Sequence, residues 1–203
     1  MTTVPLPGHY RSTVRRLVRV ACVLLFVGLS VGLYSTDVLR SYRYGPAPRL
    51  IPEAERVGRA RVEVPPELLW EATMDLRLSH GHIILIGGVL PLCIAAALVI
   101  THAAGASTIG KGTLEAFFWM YSAGATVAMG LILYKGIHYA EHVRAGDFDF
   151  IGIQQSLFGG SKALKGAAYG LSHTVLAISV GIIGVALWKS VAPLVGDAAM
   201  PAA

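Results

Sequence analysis

Seven histidines occur in this chain of 203 residues. His9 lies in the N-terminal tail and His102 closes an apolar run. The other five, His80, His82, His138, His142 and His173, fall toward the opposite end of the bundle that the apolar runs would form. A neutral imidazole is the commonest protein ligand for metals and titrates near physiological pH. Ionisable side chains in apolar spans are costly, so they usually face an interior and mark functional sites. The chemistry these residues offer is therefore metal or haem ligation and the movement of electrons or protons.

Spacing sorts them into sets. Successive helical residues turn by about 100°, so His80 and His82 point nearly opposite ways, and a single ligand uses one of them. His80 shares a helical face with Ile84, Gly87 and Pro91, and His173 shares one with Gly170, Ala177, Gly181 and Gly184. Small residues beside an inward histidine mean close helix contact or room for a flat cofactor. His80 lies three residues past Arg77 and His173 eight past Lys165, roughly 5 and 12 Å at 1.5 Å per residue, so the two can be level. Two level imidazoles from different helices suit a six-coordinate b-type haem, with His82 as the alternative to His80. Lys135, with His138 or His142, would then neutralise the haem propionates. The competing set is His138-x-x-Glu141-His142, whose histidines face the same way. With His80 or His82 as a third ligand it would chelate zinc or copper.

The elements that position these residues follow from composition. Hydrophobic residues make up 54% of the chain and charged residues 14%, with mean hydropathy +0.60. An ordinary soluble domain carries about 25% charged residues, so disorder, a disulfide scaffold and most soluble enzymes are excluded. A helical span needs roughly 20 mainly apolar residues, and four segments qualify, at about residues 18–34, 78–102, 114–138 and 167–188. The expectation is an all-α integral membrane four-helix bundle, one transmembrane domain over residues 1–203 with outer loops at 36–77 and 144–165. No convincing small-x-small cleavage site follows the first apolar run, so it reads as a retained helix rather than a signal peptide.

Arg11, Arg15, Arg16 and Arg19 precede the first span, and no acidic residue occurs before Asp37. Residues 37–77 carry seven acidic and seven basic residues. The positive-inside rule then places both termini in the cytoplasm of a bacterium whose inner membrane holds the protein. The net charge of +5 is largely these arginines, so it implies no nucleic-acid partner. Cys22 and Cys93 lie in apolar runs and imply no disulfide.

Pro66, Leu68, Trp70, Met74 and Leu76 read as a short interfacial helix with Trp70 as anchor. Phe148, Phe150, Ile151, Ile153, Leu157 and Phe158 make the second outer loop apolar. Such a loop docks on the bilayer, on the protein's own bundle, or on a larger membrane complex or redox partner. The stretch Gly105 to Lys111 has Walker-like spacing, but Gly112 replaces the Ser or Thr that would hold Mg²⁺, so it reads as a turn. No Ser-His-Asp order or nucleophile elbow indicates catalysis.

The stretch from Leu78 through His80-Gly81-His82 to Pro91 resembles the second helix of subunit I of the haem-copper oxidases, where a His-Gly pair opens an apolar helix with Pro eleven residues on. That resemblance implies a haem-ligand role for His80. It covers about fourteen residues and omits the copper-binding motif, so it does not imply oxygen reduction. The layout of the whole chain is similar to a family of small four-helix bacterial membrane proteins with His-x-His opening the second helix and Gly-Leu-x-His opening the fourth. Here those are His80, His82 and Gly170-Leu171-Ser172-His173. His138, His142 and the long first outer loop depart from that pattern, and the resemblance implies no activity. The leading expectation is a small haem b electron-transfer protein. The alternatives are a cofactor-free accessory or assembly subunit, and a copper- or zinc-binding membrane protein.

Overall fold

The computed structural model describes residues 5–44 and 66–198. The described residues are all-α. They form α1 (Gly8–Tyr44), α2 (Pro66–His82), a π-helical segment (Ile83–Val89), α3 (Leu90–Ala103), α4 (Lys111–Ala145), α5 (Phe150–Ser156), a 3-10 turn (Leu157–Gly160) and α6 (Lys162–Ala198). Four stretches are long and apolar enough to cross a membrane: Gly8–Asp37, Trp70–Ala103, Lys111–Val143 and Lys162–Ala192. The chain is thus a multi-pass membrane protein with a lipid bilayer as its surroundings.

Each span outruns the apolar window that marks it in the sequence. The stretch read as a separate interfacial helix is instead the first turns of the second span. Between Leu68 and Gly81 there is neither proline nor glycine, so nothing breaks the helix. Trp70 is exposed, as an anchor must be. The remainder of the long first outer loop, residues 45–65, lies outside the described residues.

The π segment has a local cause. Pro91 has no N–H to return to the preceding turn. On the i to i+5 spacing of a π-helix, its missing partner is the carbonyl of Ile86, which accepts from the Tyr121 hydroxyl instead.

Two compact units are present, and every long helix contributes to both. The first comprises Met1–Leu25, Leu85–Val127 and Gly170–Ala203. Its core includes Tyr10, Leu17, Leu98, Leu114, Phe117 and Tyr121. Arg16 makes a two-pronged ion pair with Glu115, and its guanidinium lies 4.6 Å over the Phe118 ring. The Walker-like stretch is the turn between α3 and α4. Ser107 N–H donates to the Ser190 carbonyl at 3.0 Å and Ile109 N–H to the Tyr10 hydroxyl at 2.7 Å, which ties the turn to α6 and α1. Cys22 and Cys93 are exposed free thiols.

The second unit comprises Phe26–Ile84 and Ala128–Tyr169. Close helix approach here depends on glycine. A Cβ on Gly28 would lie 2.7 Å from Ile84 Cγ1, and one on Gly136 would lie 3.1 Å from the backbone N of Leu76. α4 ends at Gly146, whose φ of +81° suits the left-handed residue that stops a helix. Asp149 then caps α5 by accepting from Gly152 N–H at 3.1 Å, as N-cap carboxylates do.

The apolar loop between α4 and α6 is folded onto its own bundle. Ile153 and Leu157 are buried with Leu68, Ala72, Tyr139 and Val143, and Phe148, Phe150 and Phe158 pack against that cluster. Phe158 takes a left-handed φ of 56°, unusual for a bulky residue. Its N–H donates to the Tyr134 hydroxyl at 3.3 Å, and its ring meets Tyr134 edge-on at 5.1 Å. Of the large apolar residues between 148 and 158, Ile151 is the one that stands exposed.

Candidate functional site: histidines and a buried ion cluster

His80 is held by α1. Its Nδ1 lies 2.8 Å from the Gly28 carbonyl oxygen, which can only accept, so Nδ1 carries the hydrogen and Nε2 carries the lone pair. A Cβ on Gly32 would lie 2.7 Å from the same ring. His82 is fixed in the same tautomer, with Nδ1 2.8 Å from the Leu78 carbonyl one turn back. Both imidazoles of the His-x-His pair therefore present Nε2 as the basic nitrogen. A metal-ligating histidine ordinarily has this arrangement, its other nitrogen donating to a backbone carbonyl.

His173 belongs to the first unit and is exposed, as are Gly170, Ala177, Gly181 and Gly184. The expectation of an inward stripe is not what α6 presents. Its buried face runs through Ser172, Ser179, Ile183 and Ser190, and His173 stands one residue, about 100°, round from Ser172. A Cβ at Gly170, Gly181 or Gly184 would meet nothing within 4 Å, so the space beside the imidazole is open.

His138 and His142 fasten the loop. His138 Nε2 lies 3.2 Å from the Ile153 carbonyl and 3.0 Å from Ser156 Oγ, so that nitrogen holds the hydrogen and is no metal donor in this state. His142 Nδ1 lies 2.8 Å from Asp147 Oδ2, and the two imidazole rings meet edge-on at 4.7 Å. The Asp149 backbone N–H, with His142 second, holds the Asp147 carboxyl below its ordinary range. Among the described residues, no group of three or more His, Cys, Asp or Glu side chains is gathered for a metal ion. The zinc or copper set on His138 and His142, with His80 or His82 added, is therefore not assembled.

Lys135 was expected to face haem propionates. Its ammonium instead sits between two carboxylates, 2.7 Å from Glu71 Oε2 and 3.2 Å from Asp75 Oδ2. Glu71 and Asp75 are one helical turn apart on α2, so they present to α4 together. Asp75 is buried, with 7% of its surface exposed. Tyr139, one turn beyond Lys135, is fully buried, and its ring lies 5.7 Å from Lys135 Nζ. Glu71 and Asp75 escape a histidine-led reading of the sequence. The signal available was their i, i+4 spacing on a stretch whose other faces carry Leu68, Ala72 and Leu76.

His102 is the other residue with unexpected surroundings. Both ring nitrogens are buried without a hydrogen-bond partner, 5.8 Å centroid to centroid from the Tyr10 ring.

Set against family models, curated proteins and solved structures, the chain matches none.

Proposed function

We propose that this membrane protein is a small b-type haem protein that passes electrons, with His80 as an axial ligand. The supporting observation is the His80 imidazole, whose Nδ1–H is tied to the Gly28 carbonyl at 2.8 Å. That bond fixes the ring's orientation and leaves the Nε2 lone pair for a ligand, as an outer-shell acceptor does for a ligating histidine. His173 is the second axial candidate that the sequence offers. A bound haem would supply one-electron chemistry at a potential tuned by its ligands and surroundings. Lys135 has no part in this reading, because Glu71 and Asp75 already neutralise it.

The same proposal puts both termini in the cytoplasm and the protein in a bacterial inner membrane. It rests on Arg11, Arg15, Arg16 and Arg19 standing before the first acidic residue, Asp37, since basic residues near span ends set orientation. A C-terminal reporter fusion active only in the cytoplasm is the expected outcome.

A reduced-minus-oxidised absorption spectrum of the detergent-purified chain, with a pyridine haemochrome assay, tests the haem. About one low-spin haem per chain, lost in His80→Ala and kept in His142→Ala, is expected. A colourless protein after expression with ample haem supply rejects the reading.

A further inference from the structure

We propose that Asp75 is a proton-binding site, and that the Glu71–Asp75–Lys135 cluster holds one exchangeable proton at neutral pH. Charge balance is the first reason. Two carboxylates face one ammonium, so the fully ionised cluster carries an uncompensated negative charge, with Asp75 buried. A buried charge without a partner is costly, and such groups neutralise by binding a proton.

Geometry selects the residue. Glu71 makes the shorter contact with Lys135, at 2.7 Å, and its side chain is 31% exposed. Asp75 makes the longer one, at 3.2 Å, and its side chain is 10% exposed. The Lys135 ammonium donates to its Oδ1 only at 3.5 Å, and its Oδ2 is buried without a hydrogen-bond partner. Asp75 is thus both the more desolvated and the less well compensated of the two.

A second observation is independent of the acidic pair. The Tyr139 hydroxyl, on a fully buried residue one turn from Lys135, also has no hydrogen-bond partner. The Tyr139 ring lies 5.7 Å from Lys135 Nζ, so the ionised state leaves two buried polar atoms around this cluster without partners, a need that an added proton reduces.

The groups around Asp75 are few. On its own helix are Glu71 and Ser79, whose hydroxyl donates to the Asp75 carbonyl at 2.7 Å. α4 brings Lys135 and Tyr139. α6 brings Tyr169, whose hydroxyl donates to the Leu131 carbonyl at 3.2 Å. α1 brings Tyr34, which packs against the Leu76–Ala140 cluster and donates to Glu141 of α4 at 3.0 Å, and α5 has no titratable side chain. On protonation one O–H bond forms at Asp75 and the cluster passes from a net charge of −1 to zero. The proton comes from water and returns to it, and no other bond changes.

Infrared difference spectroscopy of the full chain in lipid nanodiscs, titrated with pH, tests this. The wild type is expected to show a protonated-carboxyl C=O band at neutral pH that disappears in alkali, shifts on ¹³C-aspartate labelling and is absent in Asp75→Asn. In Glu71→Gln a single carboxylate faces Lys135, so proton affinity should fall about tenfold or more. A wild type with no such band at neutral pH overturns the proposal, as does a band that ignores aspartate labelling. Both of those are read on the unmutated protein, so they stand even if a variant fails to fold. A band that survives Asp75→Asn overturns it too.

Discussion

The His80 imidazole lies flat enough on α1 that Gly32 can be nothing larger than glycine: a Cβ there would stand 2.7 Å from both Cε1 and Nδ1 of the ring. Gly32→Ala must therefore push the ring away or part the helices. The expected cost is about 1–3 kcal/mol, the usual range for overpacking. Under the haem reading, pigment content should fall although every ligand is retained. Thermal unfolding in detergent and the absorption spectrum, measured on one preparation, check both.

Replacing Lys135 by methionine leaves the ionised Glu71 without its counter-charge, beside a protonated Asp75. Removing one partner of a fully buried pair costs about 3–5 kcal/mol. The Lys135 side chain is 22% exposed, so about 2–3 kcal/mol is expected here. Adding Glu71→Gln should restore part of the loss, because it removes the charge left unpaired. A double-mutant cycle on stability measures that coupling.

Acid should loosen the second loop. Asp149 N–H donates to Asp147 Oδ1 at 3.1 Å, and with His142 it favours the ionised carboxyl. The folded pKa is therefore depressed, so the stabilisation is complete above the unfolded value of about 3.9. It is lost as pH falls through the lower folded value. Amide exchange of Phe150 to Ile153 should accelerate below the ordinary aspartate range, and Asp147→Asn should remove that dependence while loosening the segment at neutral pH.

Tyr121→Phe removes the donor that stands in for the missing N–H of Pro91. The Ile86 carbonyl loses a hydrogen bond in a buried setting, which costs about 1–3 kcal/mol. Loss of stability without loss of helical circular dichroism is the expected result.

The four spans and the all-α class were legible because an apolar run of about 20 residues has one physical use. Their ends were not, since hydropathy follows the lipid-facing stretch whereas a helix continues until something breaks it. That is why Leu68 to Leu76 read as a separate interfacial helix. The histidine set was legible as a set, and the tautomer of His80 was not, because it depends on Gly28, far away in sequence. α6 shows the commonest failure. Its glycine stripe and its serine stripe are adjacent, both small, and only the neighbouring helices decide which turns inward. Glu71 and Asp75 were overlooked because, in a segment with equal numbers of acids and bases, two more carboxylates carry no signal until Lys135 is placed beside them.

The folded-back loop has a consequence for the helices beneath it. Leu68 and Ala72 flank Glu71 on one helix, Tyr139 and Val143 follow Lys135 on another, and Ile153 and Leu157 close over all four. This hydrocarbon adjoins the charged joint, for the Tyr139 ring lies 5.7 Å from Lys135 Nζ. Whatever lifts residues 148–158 exposes Leu68, Ala72, Tyr139 and Val143 to water, so the packing of α2 against α4 depends on a loop that belongs to neither helix.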